Sequence, residues 1–234
     1  IENGLYRALL PQSLGGAEAP LETFMQMQEE VAKADASTAW CLGQCSVCAM
    51  TAAYLDPDSA NEIFNVAPGI LAWGAINHEV QAVPGGYKAS ARWDFASGSR
   101  QASWLGAHVR IVEADGTPRR KPDGSPEIRT ILFPVTSATM YDVWDVIGLR
   151  GTGTDSYSVE NLFIPERFAA LFSRAPSLDA ASREALERAT SSLRGVAAQG
   201  DSLFVAEVKP GRPLGATIDE ALAGAGRAFG SIII

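Results

Sequence analysis

The stretch Arg92-Trp93-Asp94-Phe95-Ala96-Ser97-Gly98-Ser99 joins two runs of β-type sequence. A second stretch, Gly148-Leu149-Arg150-Gly151-Thr152-Gly153-Thr154-Asp155-Ser156, occupies the same kind of position further along the chain. A simple hairpin turn needs only about two to five residues, mostly Gly, Asn or Asp. Both stretches are richer in hydroxyl groups, and the first also carries two aromatic rings. We therefore predict that they form two walls of one ligand site.

The bulk composition restricts the function classes. The 234 residues are 47% hydrophobic, which is enough for the core of one large domain or two small ones. The net charge of −8 argues against a broad nucleic-acid-binding face. The sequence shows neither a long apolar run nor a basic-then-apolar leader, so we predict no membrane span and a cytoplasmic location.

Three cysteines, Cys41, Cys45 and Cys48, have the C-x3-C-x2-C spacing of the iron–sulfur motif in radical enzymes. The surrounding sequence is continuously compatible with a helix, and steps of four and three put all three on one helical face. Free cysteine commonly behaves as a small buried hydrophobe, so we predict a buried helix face. His78 and His108 lack ligand-type spacing to other donors, and no metal site is predicted.

The predicted fold class is α+β. Residues 1–66 form an N-terminal helical domain, with helices over about 20–34 and 38–55 and a short helix after Asp56-Pro57. Residues 67–170 form a middle domain of about seven short strands, which is typical of an antiparallel barrel or sandwich. Its strands include a hairpin around Pro84-Gly85-Gly86 and a run from Met140 to Ile147. Residues 171–234 are left as an unassigned, truncated or divergent C-terminal segment.

The residues of the two stretches allow two interpretations. Together with the nearby Trp104, Trp93 and Phe95 can flank a planar ligand whose polar edge meets Ser97 and Ser99, or these rings can be core aromatics beside an ordinary turn. The Gly151-x-Gly153 pair is not a dinucleotide fingerprint, because no third glycine follows and the next residues are β-type. Arg150 either holds an anionic group or pairs with an acidic neighbour.

Four motifs in order resemble the acyl-CoA dehydrogenase superfamily, in particular its branch related to reduced-flavin-dependent monooxygenases. They are Trp73–Asn77, Gly85–Tyr87, Arg92–Gly98 and Gly148–Thr154. The resemblance covers about residues 3–170, and the helical bundle that ends such proteins has no counterpart in the pattern of the last segment.

The resemblance implies a flavin, FAD or FMN, lying against the β-domain, with a hydroxyl or backbone donor near its N5. A flavin ring offers an apolar face to aromatic side chains and a polar edge to hydrogen-bonding groups. No catalytic residue is assigned. The cofactor-binding residues that the resemblance implies are Asn77, Trp93, Phe95, Ala96, Ser97, Arg150, Thr152 and Thr154.

Three functions follow from the resemblance. The first is a flavin-dependent oxidoreductase that moves a hydride from an acyl-thioester-like substrate to the flavin. It is placed first because the helix position where the monooxygenase branch tends to carry His appears here as Cys48. The second is the oxygenase component of a two-component monooxygenase, which uses O2 and reduced flavin from a partner reductase. The third is a catalytically incomplete fragment that serves as a binding or structural domain. The superfamily also implies a homo-oligomer.

Overall fold

The computed structural model of this chain describes residues 3–171, except for the side chains of residues 75–77. The chain divides into two units, Ile1–Leu171 and Phe172–Ile234. The described residues all belong to the first unit, so the predictions for 172–234 lie outside them. No helix among the described residues is long and apolar enough to cross a membrane.

The three predicted helices are confirmed, and their starts follow from capping. The Asp35 carboxylate accepts a hydrogen bond from the Thr38 amide at 2.6 Å, and the Asp56 carboxylate accepts one from Ser59 at 2.9 Å. Each satisfies an amide that the first turn of a helix leaves unpaired. The second helix ends earlier than predicted and continues as a short 3-10 turn. The helices are α1 (Leu21–Ala34), α2 (Ala36–Ala49) and α3 (Pro57–Phe64).

Within residues 3–171, seven strands form one sheet in the order β5-β6-β2-β1-β3-β4-β7. The predicted hairpin is confirmed: Val83 pairs with Gly86, and Gly85 has φ 79°, as a type II turn with Pro at its second position requires. The strands are β1 (Leu71–Val83), β2 (Gly86–Ala96), β3 (Trp104–Val112), β4 (Ile128–Pro134), β5 (Thr139–Tyr141), β6 (Asp155–Pro165) and β7 (Ala169–Ala170).

The α+β class is confirmed, but the prediction of an antiparallel barrel or sandwich needs correction. The sheet is open, with β5 and β7 at its edges. In addition, β1 and β3 run parallel, because the chain leaves β2 through a 3-10 turn at Ser99–Gln101 and enters the sheet on the other side of β1. The remaining pairs of neighbouring strands are antiparallel.

The predicted strand from Met140 to Ile147 was also wrong for most of its length. Only Thr139–Tyr141 pairs with β6, and the following residues form an irregular segment over 142–149. The Ile147 side chain is fully exposed, so no buried face selects a strand there. This segment borders the candidate site.

The helices and the sheet share one hydrophobic core. It combines Cys45 and Phe64 of the helices with Trp93, Leu105 and Tyr157 of the sheet. Burial of this apolar area is the main favourable term in folding. The shared core places α2 directly behind the candidate site. The predicted domain boundary near residue 67 stays a prediction.

Candidate functional site

The two stretches singled out in the sequence meet in the structure. The end of β2 lies antiparallel to the start of β6, with Ala96 opposite Asp155. This register brings the Ser97 and Thr154 hydroxyl oxygens to 2.8 Å from each other. The two stretches are therefore neighbours across one hydrogen bond, although they are far apart in sequence.

A chain of hydrogen bonds extends from this contact in both directions. The Trp40 indole nitrogen, on α2, donates to Ser97 Oγ at 2.9 Å. On the other side, Thr154 Oγ1 lies 2.6 Å from Thr152 Oγ1, which donates to the Leu149 carbonyl at 2.9 Å. The three hydroxyl residues are buried. We refer to Trp40, Ser97, Thr154, Thr152 and the Leu149 carbonyl as the hydroxyl chain.

Exposed aromatic rings border the hydroxyl chain. Phe95 is 46% exposed and Trp40 is 42% exposed. The Phe95 ring meets the Trp144 ring edge-to-face, with 6.4 Å between centroids. Phe95 has φ 62°, a left-handed conformation that is unusual for a bulky residue and that often marks functional sites. The rings provide an apolar contact surface, and of the three hydroxyl residues Ser97 keeps the largest exposed fraction, 7%.

Trp93 does not belong to this surface. Its side chain is 0% exposed and lies in the sheet core, stacked on Tyr157 with 5.5 Å between ring centroids. A ring with no exposed face cannot stack on a ligand, so of the two interpretations of Trp93 the structure favours the core aromatic. Ala96 is buried next to it and offers no side-chain surface.

Two other predicted site residues are placed differently. Arg150 is exposed at the start of a 3-10 turn and takes part in none of the ion pairs found within residues 3–171. It is therefore available to an anionic group. Asn77 lies on β1, but its side chain falls outside the described residues.

A charged link runs beside the hydroxyl chain and was missed at the sequence level. Arg100 Nε donates to Asp155 Oδ2 at 2.6 Å, and its Nη2 reaches Asp142 at 2.6 Å. The other Asp155 oxygen accepts from the backbone amides of Val143 and Trp144 at 3.2 and 3.3 Å. Asp155 thus holds the irregular segment that carries Trp144. Only the pairing of β2 with β6 brings these groups together, so no local motif could have revealed the link.

The electrostatics of Asp155 reflect this link. Burial by itself raises the pKa of the carboxyl, but the hydrogen bonds from Arg100 and from the two amides outweigh it and hold the pKa below its usual 3.8. The charged form is therefore the one that the folded protein stabilises.

Asp155 is expected to make folding stability depend on acid pH. A depressed carboxyl pKa contributes stability above the unfolded value of 3.8, and this contribution is lost as the pH falls through the lower folded value. Urea unfolding should be measured from about pH 6 to about pH 3. The difference in the free energy of unfolding between the parent chain and Asp155→Asn should narrow as the pH falls. Asp145→Asn, at an exposed carboxyl of the same segment, is the control. A gap that stays constant with pH would contradict the assignment.

The three cysteines of α2 form a buried face behind the site, as predicted. Burial raises the pKa of Cys41 and Cys48 and raises that of Cys45 to about 12. Cys41 Sγ donates to the Thr152 carbonyl at 3.4 Å. Thiols with raised pKa values are weak nucleophiles and weak metal ligands, so these side chains serve packing.

One further hollow, of about 540 Å³, lies away from these residues. Arg7 crosses it and donates to the main-chain carbonyls of Leu14, Gly15 and Phe64. Its guanidinium ties loops together, which is a structural role. The hollow is lined by Arg7, Ser13, Leu14, Gly15, Phe64, Asn65, Ala67 and Pro68.

Comparison with known proteins places this geometry in context. No family model matches the chain. The chain is 30% identical over 179 residues to an indole-3-acetate monooxygenase of Pseudomonas putida, covering 76% of the chain and 44% of that protein. It is 27% identical over 176 residues to the oxygenase component of an FADH(2)-dependent resorcinol hydroxylase of Rhizobium sp.. That match covers 74% of the chain and 41% of the hydroxylase component. The chain thus spans less than half the length of these curated relatives.

Solved structures agree. The 3-HSA hydroxylase from Rhodococcus sp. RHA1 superposes with a TM-score of 0.65 at 26% identity, over 80% of this chain and 47% of that one. XiaF from Streptomyces sp., solved with FADH2 and glycerol, has a TM-score of 0.68 at 20% identity over 97% and 63%, which shows a shared fold. The relatives are monooxygenases and hydroxylases, which favours the oxygenase interpretation over hydride transfer from an acyl thioester. The chain is therefore similar, in sequence and in fold, to part of flavin-dependent monooxygenase oxygenase components.

Proposed function

We propose that this chain carries the flavin-binding part of the oxygenase component of a two-component monooxygenase in the acyl-CoA dehydrogenase superfamily. It takes reduced FAD or FMN from a separate reductase and uses O2 to hydroxylate a small aromatic substrate. The observation that carries the proposal is the 2.8 Å contact between Thr154 and Ser97, which lies two residues after the exposed Phe95. The monooxygenase relatives support it.

The residues present fit a flavin. Phe95, Trp144 and Trp40 offer apolar ring contact, and Ser97 offers a polar atom at the edge of that surface. The exposed Arg150 suits the phosphate of the cofactor or an anionic substrate group. A bound reduced flavin would supply the electrons that activate O2. The part played by the chain is to hold the ring, orient its polar edge and keep water from its face.

Phe95→Ala is expected to weaken flavin binding about tenfold, because an aromatic contact contributes about 0.5–1.5 kcal/mol beyond the apolar area that it buries. Folding should be nearly unaffected, since half of the ring is already exposed. The measurement is anaerobic titration of reduced FAD and FMN, followed by absorbance and protein fluorescence. Phe163→Ala is the matched control, because Phe163 is 52% exposed on β6 outside the site.

The same titration separates the alternatives. Flavin that is retained in the oxidised state and bleached by an acyl thioester would support hydride transfer instead. A folded chain that retains neither form of flavin would support a domain with only a binding or structural role. Equal loss of affinity in Phe95→Ala and Phe163→Ala would remove Phe95 from the site.

A further inference from the structure

The two ends of the hydroxyl chain determine which group donates the hydrogen bond at each contact along it. At one end the Trp40 indole nitrogen can only donate, and at the other end the Leu149 carbonyl can only accept. The hydroxyl hydrogens of Ser97, Thr154 and Thr152 must therefore make the three remaining hydrogen bonds of the chain. Thr152 donates to Leu149, so Thr154 must donate to Thr152 at 2.6 Å and Ser97 must donate to Thr154 at 2.8 Å.

This direction decides what Ser97 offers to a ligand. A hydroxyl has one hydrogen and two acceptor lone pairs. The Ser97 hydrogen points inward to Thr154, and one lone pair accepts from Trp40. The remaining capacity is a single lone pair on the Ser97 side chain, which is 7% exposed and lies two residues after the exposed Phe95. In this arrangement Ser97 can accept a hydrogen bond from a ligand but cannot donate one.

Reversing the chain has a definite cost. If Ser97 turned its hydrogen outward, Thr154 would donate to Ser97 and Thr152 would donate to Thr154. The bond from Thr152 Oγ1 to the Leu149 carbonyl would then be lost, while that carbonyl kept the Thr152 amide and the Trp144 indole as donors. One net hydrogen bond corresponds to a factor of about two to ten in an equilibrium constant.

Flavin chemistry responds to this polarity. The central ring nitrogen N5 of an oxidised flavin is a bare acceptor, whereas two-electron reduction places a hydrogen on it and makes it a donor. Given the proposed function, we infer that Ser97 contacts flavin N5 and that Thr152 and Thr154 are therefore specificity-determining residues for the redox state of the flavin. They hold Ser97 as an acceptor, which suits a reduced flavin and disfavours an oxidised one. A site of this kind captures reduced flavin and releases it once it is oxidised.

The test is the ratio of the dissociation constants for oxidised and reduced FMN, and the same ratio for FAD. The parent chain should bind the reduced form more tightly. Thr154→Val removes the inward acceptor of Ser97, and Thr152→Val removes the acceptor of Thr154, so each frees the Ser97 hydrogen. In each variant the dissociation constant for oxidised flavin, divided by that for reduced flavin, should fall by about two- to tenfold. Oxidised flavin is then favoured relative to the parent chain. Thr152→Ser keeps the hydroxyl and should keep the parent ratio.

Ser158→Ala is the control, because Ser158 lies on the same strand and bonds the Tyr141 hydroxyl outside the hydroxyl chain. Thermal unfolding checks that each variant is folded, and either valine variant alone decides the question. An unchanged ratio in a folded valine variant would overturn the inference and leave the proposed function intact, as would equal affinities in the parent chain. Failure of the parent chain to bind either form of flavin would overturn the proposed function and the inference with it.

Discussion

Trp93→Ala is expected to lower the free energy of unfolding by about 3–5 kcal/mol, the usual cost of truncating a buried aromatic residue to alanine. The Trp93 side chain is 0% exposed and stacks on Tyr157. The centroids of the Trp93 and Phe133 rings are 6.2 Å apart. Its removal leaves a cavity that the β-sheet can only partly close. Urea unfolding followed by circular dichroism measures the change.

Trp93→Phe is the control for this prediction. It keeps most of the apolar volume, and it removes an indole nitrogen that has no hydrogen-bond partner among the described residues, so the loss should be much smaller than for alanine. Unchanged stability in Trp93→Ala, together with lost flavin binding, would contradict the core placement and restore Trp93 as a stacking residue. The structure predicts the opposite division, in which Trp93 supports the fold and Phe95 contacts the ligand.

Gly98→Ala is expected to lower the free energy of unfolding by about 2–4 kcal/mol, because two penalties act together. Gly98 has φ 79°, a conformation that residues with a Cβ atom rarely adopt. A Cβ atom at this position would also lie 2.4 Å from Cys45 Sγ on the buried face of α2. The turn after β2 therefore packs directly against the helix behind the site. Thermal or urea unfolding of the single variant measures the combined cost.

The double variant Cys45→Ala with Gly98→Ala separates the two penalties. Removing the sulfur relieves the clash but not the backbone strain, so the loss caused by Gly98→Ala should shrink to about 1 kcal/mol in the Cys45→Ala background. Gly85→Ala serves as a matched control for the backbone term, since Gly85 has the same φ of 79° and no described atom would lie within 4 Å of an added Cβ. Equal costs for Gly98→Ala in both backgrounds would contradict the contact with Cys45.

The sequence alone could show which local elements form. Capping by Asp35 and Asp56, and the Pro84-Gly85 turn, depend on neighbouring residues. The helix after Asp56 and the hairpin were predicted and are confirmed. Parallel pairing of β1 with β3 depends on a crossover that carries no local signal. The irregular segment over 142–149 resembled a strand in composition, but its conformation depends on the distant carboxylate of Asp155.

Trp93 and Phe95 show why the site could be predicted only in part. The resemblance assigned both aromatics to the ligand, and residues two apart on a regular strand do point to the same face. The pairing of β2 with β6 shifts register between Trp93 and Ala96, and Phe95 adopts a positive φ. One ring therefore enters the core while the other faces outward. Only the paired strand creates this irregularity.

The amino-acid sequence by itself determined the α+β class, the capped helices and the hydroxyl-rich composition of the two stretches, because these follow from short-range propensities and spacing. The tertiary structure alone decided that Ser97 meets Thr154, that Phe95 rather than Trp93 is exposed, and that the hydroxyl hydrogens run inward from Ser97 to Leu149. The physical reason is that hydrogen-bond direction and side-chain burial depend on which distant strands become neighbours.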